Sequence, residues 1–227
     1  MIDIDETLKE LSGERPIFHS EADFQHALAW KIHEKNLGLN VRLERRIELN
    51  EREIYVDIYI FNELSTYLIE VKYKTKEIEL EYYNEKFRLK NQSAQDVSRY
   101  DFIKDISRLE ECVEKLENAY GCAIFLTNDP SYWKEGRAET KDKDFRIHGE
   151  KVLEGELKWK EGTSEGTMKG REEPITLKGE YKLEWKNYSD LSGNKPEKKK
   201  KNDKFKYLLV EIDPQAFKKL GCVTSLV

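Results

Sequence analysis

The chain alternates between stretches in which apolar residues recur at helical spacing and stretches in which they recur every second residue. A short helical pattern covers Asp5 to Leu11 and is broken by Gly13 and Pro16. A stronger one begins after Ser20, where Ser20-Glu21-Ala22-Asp23 resembles a capping box and Ala22, Phe24, Ala27, Leu28, Trp30 and Ile32 supply apolar positions; it is expected to stop near Gly38. Three runs rich in Ile, Val, Leu and Tyr follow, Val41–Leu49, Ile54–Phe61 and Thr66–Lys74. The short polar connections between them predict an antiparallel meander.

Residues 75–91 fit a strand and a helix equally well. From Ser93 a long helix is predicted by Val97, Ile103, Ile106, Leu109, Val113 and Leu116, with Gly121 closing it. Gly121–Thr127 reads as a buried strand. The intervening helix can serve as a crossover, which allows this strand to lie parallel to its neighbour. Phe205–Ile212 is a further strand and Pro214–Leu220 a terminal helical turn.

Between them, residues 132–204 are crowded with Lys, Glu and Gly. Two alternating pieces there, GEKVLEGELKWKEG and KGEYKLEWKNYS, suggest solvated hairpins, and Lys198–Lys201 reads as a solvated loop. The expected architecture is α/β (α+β): a mixed central sheet flanked by helices, built from residues 1–131 and 205–227, with 132–204 as a β-rich charged insertion.

Composition narrows the function classes. With 227 residues the chain can bury a sizeable core, and it has no apolar run of the ~18 residues needed to cross a bilayer. The start lacks a secretory pattern, so a cytoplasmic location is expected. Cys112, Cys122 and Cys222 have no metal-like spacing and read as free buried thiols. His19, His26, His33 and His148 form no ligand spacing either. The 40 basic and 45 acidic residues nearly balance, which argues against nonspecific coating of nucleic acid and leaves room for a local basic cleft.

Candidate chemistry sits on the second and third strands. Asp57 interrupts IYVDIYIF, and Glu70-Val71-Lys72 lies in TYLIEVKYK. A carboxylate in an apolar strand must be paired, protonated or metal-bound to survive burial. Strand alternation puts Glu70, Lys72 and Lys74 on one face and Ile69, Val71 and Tyr73 on the other. A Glu-x-Lys alone is compatible with an exposed strand carrying a cross-strand ion pair; Asp57 across the hairpin changes that reading. In a meander Asp57 and Glu70 can approach closely enough to share a divalent cation, and their hard oxygens select Mg²⁺, with Mn²⁺ substituting. Lys72 would orient or deprotonate an attacking water and stabilise phosphoryl charge.

The order of a helix acid, an Asp on one strand and Glu-x-Lys on the next resembles the PD-(D/E)XK, or restriction-endonuclease-like, nuclease superfamily, although Val56 stands where the naming Pro would be. The resemblance covers about half the chain. It implies Asp57 and Glu70 as catalytic metal ligands, Lys72 as the catalytic lysine, and Val71 (through its carbonyl) and Glu21 as further metal ligands. It also implies polar groups at the site mouth, for which Gln95, Arg99 and Tyr100 are candidates. The implied function is Mg²⁺-dependent endonucleolytic cleavage of DNA, in restriction, phage defence or repair, by a homodimer if both strands are cut. The alternative is a module that keeps the fold and binds a protein or nucleic-acid partner without cleaving it.

Overall fold

A computed structural model describes residues 2–49, 52–194 and 202–218. Lys198–Lys201 and Cys222 lie outside them. The two N-terminal helices are α1 (Ile4–Glu14) and α2 (Glu21–Lys35). At the start of α2 the Ser20 hydroxyl accepts the Asp23 N–H at 3.1 Å, as the capping pattern requires. Phe24, Leu28 and Ile32 form its buried stripe at four-residue spacing. Ala22 and Trp30 were expected to join them. They fall on the other side of the helix, and Trp30 is 65% exposed with its indole N–H on Glu34.

The meander forms as predicted, from β1 (Asn40–Leu49), β2 (Arg52–Phe61) and β3 (Thr66–Lys74), all antiparallel. Residues 75–91, ambiguous in sequence, form a hairpin of β4 (Ile78–Tyr82) and β5 (Glu85–Leu89). Its two turn residues, Tyr83 and Asn84, both have positive φ, which suits the twist of a two-residue hairpin. The long helix is α3 (Gln95–Lys115), followed by β6 (Ala119–Thr127). Gly121 lies inside β6 rather than closing α3; a Cβ there would meet the Cβ atoms of Ile212 and Leu109 at 3.3 Å, a tight approach between β10 and α3.

The six-stranded sheet runs β1-β2-β3-β6-β10-β9, where β9 is Trp185–Asp190 and β10 is Lys204–Ile212. β3 and β6 are parallel, joined through α3, and every other pairing is antiparallel. A mixed sheet flanked by helices is thus the observed class. One face carries Ile58, Ile60, Ile69, Val71 and Tyr73 against α1 and α2; the other carries Leu68, Ala123, Phe125 and Leu208 against α3.

A four-residue turn of helix, α4 (Pro130–Trp133), leads into residues 132–204 and a segment ending in β7 (Val152–Leu157). This pairs with β8 (Ile175–Lys182), and a further short turn, α5 (Glu165–Met168), lies between them. These strands are not solvated on both sides: Phe145, Leu153, Leu157, Trp159, Ile175 and Leu177 are buried with residues of α3. Three polar clips fix the segment to that helix. The fully buried Glu110 carboxylate accepts the Lys178 and Gly179 N–H groups at 3.0 and 2.8 Å and the Tyr181 hydroxyl at 2.8 Å. Arg171 forks onto Asp101, and Arg99 reaches Asp142 at 2.7 Å. The second alternating piece is divided between β8 and β9, which belong to different sheets. A short terminal helix, α6 (Pro214–Lys218), follows β10.

Candidate active site

Asp57, Glu70 and Lys72 line one cleft of about 500 Å³ between the β1–β3 end of the sheet and α3. Strand alternation accounts for the pair on β3, since Val71 between them is buried in the opposite core layer. Asp57 is fixed by its own neighbour strand: its Oδ2 accepts the Val71 N–H at 2.7 Å. That bond takes the place of the strand's missing polar partner. β1 contributes Glu44, whose φ of +50° interrupts the ladder opposite Asp57. Buried Gln25 of α2 donates to Glu44 at 2.6 Å and to the Asp57 carbonyl at 2.7 Å, tying α2 to both strands.

α3 lies over the polar face of β3, burying Glu70 and leaving Lys72 and Lys74 half-buried. Asp105 and Arg108, one helical turn apart, complete the cluster. Lys72 Nζ stands 2.7 Å from Asp105 Oδ2; Arg108 Nη2 stands 2.8 Å from both Glu70 Oε1 and Asp105 Oδ1. Glu70 is 4% exposed and Asp105 5%. Neither α3 residue is conspicuous in sequence, since a charged i, i+3 pair on an amphipathic helix ordinarily reads as a solvated face. Only their offset to the apolar stripe, directly beside buried Ile106 and Leu109, hinted at the inward direction.

Three carboxylates (Asp57, Glu70, Asp105) therefore face two cations (Lys72, Arg108). Burial, and then the charges of Asp105 and Asp57, push the Glu70 carboxyl up to about 9 against the opposing pull of Arg108. Burial also raises Asp57. For Lys72, burial alone would weaken the ammonium, but the adjoining Asp105 outweighs it and the group holds its proton above the usual lysine range.

Glu21 lines the same cleft at the far end of β3. Its Oε2 accepts the Tyr73 N–H at 2.7 Å and lies 3.3 Å from Lys74 Nζ. Gln95, Arg99 and Tyr100 do not stand at the mouth. They bond Asp129, Asp142 and the Glu173 carbonyl respectively, because their positions on α3 face the 129–173 segment instead of β3. Their role is docking. Cys112 and Cys122 are free and buried, as the sequence suggested.

Among the described residues, no three His, Cys, Asp or Glu side chains stand close enough together to hold a metal ion as they are now arranged. The donor chemistry nonetheless fits a hard divalent cation. Two buried carboxylates with an excess of like charge lie beside a cleft, and the raised Glu70 is a group that such a cation would relieve. Among the described residues, no helix is long and apolar enough to cross a membrane. The chain matches no protein-family model, no curated protein and no solved structure.

Proposed function

We propose that this protein is a Mg²⁺-dependent phosphodiesterase of the restriction-endonuclease-like kind, acting on DNA. The observation that carries the reading is the convergence of Asp57, Glu70 and Lys72 on one cleft, where Glu70 faces Arg108 of α3 and Lys72 faces Asp105 of α3. The mixed sheet with helices on both faces is the architecture that the resemblance to PD-(D/E)XK nucleases leads one to expect.

In this reading Asp57, Glu70 and the Val71 carbonyl hold the metal, with Glu21 as a further carboxylate along the cleft. A bound divalent cation supplies Lewis-acid polarisation of the phosphoryl oxygen and a water of lowered pKa. Lys72, which keeps its proton tightly, is poorly suited to act as a base and well suited to stabilise developing charge on a phosphoryl oxygen. Val71 N–H holds the Asp57 carboxylate in place, so the ligand is oriented by the strand itself. Lys74 and Lys104 also line the cleft, within reach of a phosphodiester once a bound cation offsets the carboxylates around them.

The test is incubation of the protein with Mg²⁺ or Mn²⁺ and plasmid, linear duplex or single-stranded DNA. Cleavage should fall by about 10²-fold or more in Asp57→Asn and Lys72→Ala while the melting transition is retained. A second reading, a recognition module without catalysis, is favoured by the engagement of Glu70 and Lys72 in ion pairs with α3. It predicts DNA or protein binding that Lys72→Ala leaves unchanged and no cleavage with any metal, an outcome that would remove the hydrolase reading.

A further inference from the structure

One guanidinium nitrogen does an unusual amount in this cleft. Arg108 Nη2 alone contacts Glu70 Oε1 and Asp105 Oδ1, each at 2.8 Å, while Arg108 Nε is buried without a hydrogen-bond partner among the described residues. The fork that arginine offers to a planar or tetrahedral oxyanion is therefore only half used. The side chain is 34% exposed, so it reaches the cleft surface, whereas both carboxylates it holds are nearly dry.

A divalent cation held by Glu70 would take the same carboxyl oxygen that Arg108 Nη2 now contacts at 2.8 Å. Two cations adjacent to that oxygen repel each other, so the metal and the guanidinium compete for it. A phosphodiester, conversely, carries the negative charge and paired oxygens that both edges of the guanidinium could engage once it turns out from beneath Glu70.

We propose that Arg108 is a transferable cation of this cleft: it compensates Glu70 and Asp105, and it releases Glu70 to a divalent metal as it turns onto the substrate phosphodiester. Metal and phosphodiester then bind with positive coupling, each strengthening the other by the same factor, because both are linked through the position of one side chain. The inference rests on the phosphodiesterase reading of the cleft. Asp105 is part of the device. With Lys72 on its Oδ2 and Arg108 on its Oδ1, it keeps one cationic partner when the guanidinium leaves.

The experiment is calorimetric titration of Mn²⁺ into the full-length wild type, Arg108→Ala and Arg108→Gln, with and without a short phosphorothioate DNA duplex. Two variants are used in case one fails to fold, and melting curves check each. Without duplex, the variants should bind Mn²⁺ at least about 5-fold more tightly than the wild type. The duplex should tighten wild-type Mn²⁺ binding by a similar factor and change the variants little. Equal or weaker Mn²⁺ binding by the variants, or a wild-type affinity that the duplex leaves unchanged, would overturn the Arg108 assignment while the metal site and the hydrolase reading stood. Absence of Mn²⁺ binding in every protein, with or without duplex, would take down the hydrolase reading and this inference together.

Discussion

Lys72 Nζ of β3 and Asp105 Oδ2 of α3 stand 2.7 Å apart in a pocket where the aspartate side chain is 7% exposed. Burial alone would make this lysine a weaker acid-base cation; the aspartate reverses that. Asp105→Asn should therefore lower the pH at which Lys72 releases its proton, read by NMR titration of labelled lysine side chains. A Lys72 titration unmoved by the substitution would show that some other group holds the proton.

The excess carboxylate in the cluster has a consequence for stability. Glu70 has a higher pKa folded, about 9, than its ordinary 4.5, so folding takes up a proton between those values. Its contribution is neutral below about pH 4.5 and increasingly unfavourable as pH rises toward 9. Glu70→Gln leaves Asp57 and Asp105 balanced by Lys72 and Arg108. The variant should match the wild type near pH 4 and exceed it by about 1–3 kcal/mol at pH 8 in metal-free urea unfolding. A difference that stayed constant across this range would assign the effect to packing.

Two acids of α3 clip the 129–182 segment, and they should differ sharply in worth. Removing Glu110 by Ala leaves the Lys178 and Gly179 N–H groups and the Tyr181 hydroxyl without their acceptor, at a cost of ~3 kcal/mol or more. Asp101→Asn weakens a pair whose members are about a third exposed, and should cost under about 1 kcal/mol. Hydrogen exchange over residues 175–182 should accelerate in the first variant only.

Gly121→Ala places a methyl 3.3 Å from the Cβ atoms of Leu109 and Ile212, which are too near the backbone to move aside. The lost chain entropy of glycine returns up to ~1 kcal/mol, and overpacking costs about 1–3. Net destabilisation is expected, seen as a lowered thermal midpoint. A midpoint at or above that of the wild type would show that α3 and β10 can separate locally.

Local patterning carried much of the fold. The four-residue stripe of α2, the three alternating runs of the meander and the continuous apolar runs of β6 and β10 are each consequences of a short-range periodicity, and each appears where the sequence puts it. The shared face of Glu70 and Lys72 follows from the same alternation, as does the cost of Asp57 in an apolar strand. Tertiary structure decided what these residues meet. Asp105 and Arg108 come from α3, and their charges look solvated until the helix is laid over β3. Gln95, Arg99 and Tyr100, which the resemblance would place at the mouth, are turned to the opposite neighbour by that same docking. Residues 75–91 fit two elements, and residues 132–204 read as solvated hairpins, for a related reason. Hairpin pairing and the burial of Trp159 or Leu177 depend on which distant surface is available, and periodicity within a segment holds no information about its partner.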